Sequence, residues 1–168
     1  MATVSLEFSL PASIETVFDR LTDPDYLVER SLELGELSAD CEVEESGKEV
    51  VITMRREVER KLPAVLARLF SPRQTVELVE RWNTAGRVHK GSYRLSVLGQ
   101  PVTVSATLEL KAAGAGKSLY TVSHSAKASI PLVGGKVEAF ILSQTEAGAR
   151  AELEHLAKSF APKARPKR

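Results

Sequence analysis

The chain has 168 residues, of which 43% are hydrophobic and 27% are charged. This length and composition fit one ordinary globular domain with a substantial core, and nothing in them supports a two-domain protein. The formal net charge is +1, but four of the 23 basic residues lie in the last six positions, which leaves 19 basic against 22 acidic residues elsewhere. That balance argues against a nucleic-acid-binding surface, which usually carries a basic stripe on the body of the domain.

Three features of the sequence bear on where in the cell the protein is located. The first ten residues alternate instead of forming a charged segment followed by an apolar run, and no apolar stretch of 18 residues occurs. Cys41 stands alone, so no intrachain disulfide is possible and a reducing compartment is compatible with the sequence. We therefore expect a cytoplasmic protein without stable membrane insertion.

The C-terminal stretch APKARPKR contains two prolines, has only positive charge and lacks apolar periodicity. We expect residues 1–161 to form the folded domain and residues 162–168 to be a disordered basic tail. A solubilising role is the simpler interpretation of this tail. Weak contact with RNA or an anionic membrane is the alternative.

The N-terminal part predicts one strand and two short helices. Apolar and polar side chains alternate over residues 3–10, which is the period of a half-buried strand. A short segment with helical spacing of its apolar residues then opens near Ser13. Asp23 before Pro24 is typical of an N-cap with proline at the first helical position, so a second helix is predicted for about 24–34.

From Leu37 onward the hydrophobic period becomes two and stays there for about ninety residues. Short turns, several with glycine, separate six such segments, which predicts an antiparallel meander. The segment PVTVSATLELKA shows the clearest division into one apolar and one polar face. We interpret the charged run MRREVERK as a solvated strand face.

A more apolar insert, KLPAVLARLFSP, separates the third and fourth strands. Its apolar residues fit one or two helical turns bounded by prolines. Because it is more apolar than a surface connection needs to be, we expect it to act as a lid over a cavity. The predicted lid residues are Leu62, Leu66, Leu69 and Phe70.

A helix of roughly 25 residues, about 38 Å long, is predicted after Gly135, because no proline or turn cluster follows until Pro162. Its apolar stripe thins to small and polar residues in the middle, around Gln144 and Gly148. In the preceding stretch IPLVGGKVEAF we interpret the glycine pair as a hinge that takes positive φ.

Two other site classes are excluded by spacing. The GGK at 134–136 resembles the end of a phosphate-binding loop, but Ile130 occupies the leading glycine position and Val137 the closing Ser/Thr position. The three histidines lie far apart, without H-x-x-x-H or cysteine spacing. We therefore expect no nucleotide, no metal and no cofactor.

An antiparallel sheet with one apolar face and a long helix with one apolar side must bury each other, which is the α+β solution. The order of elements is that of the helix-grip fold. We predict a seven-stranded curved antiparallel sheet wrapped around a long C-terminal helix, with two short helices after the first strand.

The chain resembles the START-like superfamily, also called SRPBCC, which includes the major birch pollen allergen, polyketide cyclases and lipid-transfer domains. Glu80-Arg81-Trp82, the Gly99-Gln100-Pro101-Val102 turn and IPLVGGKVE look like an uncharacterised bacterial domain-of-unknown-function family within it. The resemblance covers about residues 2–160. It implies a cavity between sheet and helix that holds a lipid, polyketide, steroid-like or other apolar molecule.

The small residues in the middle of the long helix independently leave room for such a cavity, because protein interiors do not normally keep voids without ligand or water. A solid core, filled by side chains such as Trp82 and Tyr93, is the alternative. The predicted lining residues are Met54, Trp82, Tyr93, His124, Phe140 and Gln144, and core packing is the alternative role for all of them except His124.

Two of these residues place polar groups in the predicted cavity. His124 shares its strand face with Tyr120, which makes it a candidate cavity-facing acid or base. Its other interpretation is a hydrogen-bonded histidine on the sheet. The Gln144 amide lies on the apolar side of the helix and needs a partner that the ligand would supply.

Three functions remain open at this point. The first is a non-catalytic binding or carrier protein for an apolar small molecule, which enters near the lid. The second is an enzyme of the cyclase or hydratase type that uses His124 with Tyr93 or Tyr120. The third is an interaction module that presents its sheet or lid to a protein partner.

Overall fold

The computed structural model describes residues 3–161, so the predicted basic tail at 162–168 lies outside the described residues. The predicted order of elements is confirmed within this range. In chain order the elements are β1 (Thr3–Leu10), α1 (Ile14–Leu21), α2 (Pro24–Glu33), β2 (Ser38–Ser46), β3 (Glu49–Glu59), α3 (Ala64–Ala67), β4 (Arg73–Asn83), β5 (His89–Val97), β6 (Val102–Ala112), β7 (Ser118–Ala128) and α4 (Gly134–Ser159).

All seven strands form one antiparallel sheet in the order β1-β7-β6-β5-β4-β3-β2. Strands β2 to β7 pair with their sequence neighbours as a meander, and β1 closes the sheet at the far edge by pairing with β7. Buried and more exposed residues alternate along β6 and β7, because one face of the sheet is covered by helices. The fold is the predicted helix-grip α+β fold.

Local signals place the first two helices. The Ser13 hydroxyl caps α1 by accepting from the Thr16 backbone N–H, and the Asp23 carboxylate caps α2 at the N–H groups of Asp25 and Tyr26. Both helices are too short to be stable alone, so their buried apolar residues against the sheet hold them in place.

Helix α4 contacts the core mainly near its two ends. Leu153 and Leu156 join the largest apolar cluster, and Val137 joins a second cluster with Leu66 and Phe70 of the α3 region. Between them Leu142 makes a smaller contact with β6 and β7. The neighbouring mid-helix positions carry small or polar side chains, and this leaves space above the sheet.

The turn from β7 into α4 has a different cause from the one we expected. Neither Gly134 nor Gly135 has positive φ, and within residues 3–161 the one non-glycine residue with positive φ is Leu132, at 70°. Gly134 is required for another reason, since a Cβ there would lie 2.8 Å from the carbonyl oxygen of Ala128. At Gly135 an added Cβ would meet nothing within 4 Å.

This difference predicts opposite outcomes for two neighbouring substitutions. Gly134→Ala must push α4 away from β7 and should lower the free energy of unfolding by roughly 1–3 kcal/mol. Gly135→Ala is the matched control and should leave stability unchanged or raise it, because alanine favours helix more than glycine does. Thermal and urea unfolding measure both, and equal losses in the two variants would contradict the close approach at Gly134.

Candidate ligand-binding cavity

Two adjoining compartments lie between the sheet and α4. The larger has a volume of about 280 Å³ and lies among α2, strands β3, β4, β5 and β7, and the middle of α4. The smaller, of about 90 Å³, lies beneath the α3 region and the N-terminal half of α4. We call them the polar and the apolar compartment. They share lining residues, among them Arg56, Leu95, Gln144 and Thr145, so they are directly adjacent.

The apolar compartment is covered by the predicted lid segment. Leu62, Leu66 and Phe70 line it, together with side chains of β5, β6 and α4. Leu69 does not line it and is 44% exposed, as Val65 is at 47%, so both lie on the outer surface of the lid. Three of the four predicted lid residues therefore face the cavity.

A transverse row of the sheet brings three polar side chains to the floor of the polar compartment. Strand register aligns Glu80 of β4 with Tyr93 of β5, then with Ala106 of β6 and His124 of β7. Residues paired in this way point to the same face of a sheet. Ala106 is small, and the ring centroids of Tyr93 and His124 lie 5.7 Å apart across it. We call Glu80, Tyr93 and His124 the polar row.

Glu80 was not among the predicted site residues. Its Oε2 accepts a hydrogen bond of 2.9 Å from the indole Nε1 of Trp82. Burial raises the pKa of the Glu80 carboxyl to about 7, although the Trp82 hydrogen bond and the nearby Arg30 charge act in the opposite direction. Glu80 borders the cavity and is largely buried, so it holds its proton more firmly than an ordinary carboxyl.

The other two members of the polar row are uncharged near neutral pH. Burial lowers the pKa of His124, and burial raises the pKa of the Tyr93 hydroxyl. The His124 side chain is 2% exposed, and its Nδ1 has no hydrogen-bond partner among the described residues. Tyr120 also borders this compartment, and burial raises its pKa strongly.

An ion-pair network forms one wall of the polar compartment. The Arg56 Nη1 donates to Glu36 at 2.8 Å and to Glu152 at 3.5 Å, and the Arg30 Nη2 donates to Glu152 at 3.3 Å. The side chain of Arg56 is only 13% exposed. Our interpretation of MRREVERK as a wholly solvated face is therefore wrong at this residue, whose strand parity points it inward beside Met54.

The remaining predicted lining residues divide between cavity and core. Met54 borders the polar compartment, Phe140 borders the apolar one and Gln144 borders both. Trp82 does not border the cavity. It is 1% exposed and packs edge-on against Phe18, with ring centroids 5.7 Å apart. The core-packing role considered for Trp82 is the one that its position shows.

The other two histidines lie away from the polar row. His155 of α4 bonds to the hydroxyl of Tyr26 through Nδ1 at 2.9 Å and to Glu33 through Nε2. His89 packs edge-on against Phe18. Within residues 3–161 no group of three or more His, Cys, Asp or Glu side chains is arranged to hold a metal ion, and no helix has the length and apolarity to cross a membrane.

Comparison with known structures defines the class first. The chain is similar to TTHA0849 from Thermus thermophilus, with a TM-score of 0.63, 14% identity and coverage of 95% of this chain and 100% of that one. It is similar to a START superfamily protein from Mycobacterium smegmatis, with a TM-score of 0.56, 13% identity and coverage of 95% and 99%. It is also similar to the human StarD13 (DLC2) lipid transfer and protein localization domain, with a TM-score of 0.60 and 13% identity. That match covers 95% of this chain and 77% of the other. The fold is therefore START-like.

The family follows from the sequence itself. A model of the family described as "Protein of unknown function (DUF2505)" matches residues 5–158, so the chain belongs to that family. No curated protein matches the sequence significantly.

The buried carboxyl predicts a pH-dependent gain in stability on neutralisation. A carboxyl whose pKa rises from 4.5 to about 7 on folding costs on the order of 3 kcal/mol when ionised. This cost is absent below pH 4.5, grows between pH 4.5 and 7 and is complete above pH 7. Glu80→Gln should therefore raise the melting temperature clearly more at pH 8 than at pH 5.

The matched control is Glu77→Gln, on the outer face of the same strand, where the side chain is 47% exposed. This variant should show little difference between the two pH values. A Glu80→Gln effect of the same size at pH 5 and pH 8, in thermal unfolding followed by circular dichroism, would contradict the assigned environment of Glu80.

Proposed function

We propose that this protein binds and carries an apolar small molecule, such as a lipid or polyketide, in the cavity between the sheet and α4. The observation that supports this most strongly is the cavity itself. Folded interiors are packed as densely as organic crystals, and two adjoining spaces of this size are unusual without an occupant or water. The two compartments together lie near the lower end of the volumes typical of ligand pockets, which favours a small ligand.

The sequence of α4 supports an adapted binding space. Gly148 borders the polar compartment, and a Cβ added there would meet nothing within 4 Å. A glycine inside a helix costs roughly 1 kcal/mol relative to alanine. At Gly148 this cost is not offset by any close packing, so we infer that the position is kept small to leave room for the ligand.

Entry beneath the α3 region is part of the proposal. Helix α3 has only four residues and no side-chain N-cap, and its connection rests on the apolar contacts of Leu66 and Phe70. A short segment held mainly by a few apolar side chains opens more readily than a strand of the sheet. We infer that this segment is the lid and that the domain of residues 1–161 carries the whole binding function.

A second function, an acid–base enzyme of the cyclase or hydratase type, is favoured by one observation. His124 borders the cavity beside Tyr93 and is held neutral, which suits a general base. The two functions differ in the fate of the ligand. A carrier returns an extracted ligand unchanged, whereas an enzyme returns a product that His124→Ala does not form, and mass spectrometry of the extracted ligand distinguishes the two.

Filling the cavity tests the leading proposal. The neutral fluorescent probe N-phenyl-1-naphthylamine should bind the wild-type protein, and Gly148→Leu should weaken that binding at least tenfold by occupying the space beside the sheet. The matched control is Ala147→Leu, whose side chain is exposed on the outer face of the same helix. Fluorescence titration measures binding, and circular dichroism verifies folding.

Two results would contradict the proposal. One is a wild-type protein that neither binds the probe nor carries any co-purified small molecule in native mass spectrometry. The other is equal probe binding by wild type, Gly148→Leu and Ala147→Leu, because that would place the probe outside the cavity.

A further inference from the structure

A purely apolar ligand does not account for the floor of the polar compartment. Three polar side chains of one sheet row line it, and two of them have unused hydrogen-bonding atoms. Within residues 3–161 the Glu80 carboxyl accepts one hydrogen bond, through Oε2, which leaves Oε1 for another partner. The Nδ1 of His124 is likewise unpaired in the described part of the chain, although the ring is almost completely buried. Buried polar atoms without partners cost free energy, so an occupant that pairs with them is favoured.

We propose that the polar row selects an uncharged hydroxyl or carbonyl group at one end of the ligand, with Tyr93 as its central hydrogen-bonding partner and Glu80 or His124 as the second. This inference rests on the proposed function and specifies its ligand. The ligand is then an apolar molecule with one neutral oxygen function, whose apolar part extends towards the lid.

The hydrogen-bonding capacity of the polar row matches a hydroxyl or carbonyl. A neutral imidazole has one donor and one acceptor nitrogen, and a tyrosine hydroxyl both donates and accepts. The carboxyl of Glu80 accepts when ionised and donates when protonated. A hydroxyl, which also donates and accepts, satisfies any of these states without a change of charge.

An anionic end group is disfavoured at the polar row. The carboxyl of Glu80 faces this space and repels a carboxylate or phosphate. The two nearest cations, Arg30 and Arg56, already pair with Glu152 and Glu36, so neither is available without breaking a buried ion pair.

A cationic end group is disfavoured as well. It would lose its hydration and would meet the charges of Arg30 and Arg56. An ionised Glu80 attracts a cation, but the positive charges of Arg30 and Arg56 already act on that carboxyl. Neither charged form of a ligand end therefore gains a full ionic partner at the polar row.

Arg60 offers the one competing position. It borders both compartments, is exposed at their rim and belongs to no ion pair found within residues 3–161. An acidic ligand held by Arg60 would place its carboxylate at the rim and its apolar chain inside. This arrangement leaves the polar row unused, so the experiment must distinguish binding at Arg60 from binding at the polar row.

The test compares three ligands with the same eight-carbon chain: 1-octanol, octanoate and octylamine. Their dissociation constants are measured at pH 8 by displacement of N-phenyl-1-naphthylamine from the full-length protein. The proposal expects 1-octanol to bind at least tenfold more tightly than either ion. Tyr93→Phe should weaken 1-octanol three- to tenfold by removing one hydrogen bond and should have little effect on the two ions.

Glu80→Gln removes the charge of the carboxyl at nearly constant shape. It should therefore reduce the preference for 1-octanol over octanoate at least fivefold. Ser92→Ala, on the outer face of β5 beside Tyr93, is the matched control and should keep the wild-type preference.

Each other outcome overturns a specific claim. Octanoate or octylamine binding as tightly as 1-octanol would overturn the selection of a neutral group. Tight octanoate binding that Arg60→Gln abolishes would place the ligand end at the rim and would also overturn the selection of a neutral group. Failure of all three ligands to displace a bound probe would overturn it too. Failure of the probe itself to bind the wild-type protein would instead overturn the proposed function.

Discussion

The partly buried ion pairs of Arg56 are the constraint on which the cavity depends. Arg56 lies on β3 and reaches both Glu36, just after α2, and Glu152 on α4. A charged network of this kind contributes little net stability compared with apolar packing, but it becomes very unfavourable if one partner is displaced. It therefore fixes where α4 crosses the sheet. Because Leu153 and Val137 anchor the helix on either side, its middle spans the sheet without filling the space beneath.

The same network shapes the electrostatics inside the cavity. With Arg30 and Arg56 engaged by Glu152 and Glu36, Glu80 has no arginine as a hydrogen-bonding partner in the described chain, and burial dominates its protonation. The polar compartment thus has hydrogen-bonding groups on its floor and paired charges on its wall, while the apolar compartment beneath the lid is lined mainly by aliphatic and aromatic side chains. A ligand that enters this space meets two different environments, and this gives it a preferred orientation.

Most of the fold could be predicted from the sequence because period-two alternation and helix caps are local signals. The cavity chemistry could not. Glu80 has the strand parity of Val76 and Leu78, and Arg56 has that of Met54, so a carboxylate and a guanidinium on the apolar face were visible as exceptions. Their roles in the cavity depend on partner residues that are mostly distant in sequence, and these could not be read from the local pattern. The prediction for the turn before α4 was wrong for a related reason, since the close approach of Gly134 to Ala128 is a tertiary contact.

Trp82 shows how a residue outside the cavity sets the chemistry inside it. Its register partner on β5 is Gly91, and a Cβ at Gly91 would lie 2.8 Å from the indole ring. Because Gly91 has no side chain, the indole can lie against the sheet at this position. The ring of Phe18 from α1 also packs edge-on against the indole. In this position the indole Nε1 donates to Glu80 and fixes one of its two oxygens. The other oxygen has no hydrogen-bond partner within residues 3–161, so the glycine, the indole and α1 together determine which carboxyl atom remains for a ligand.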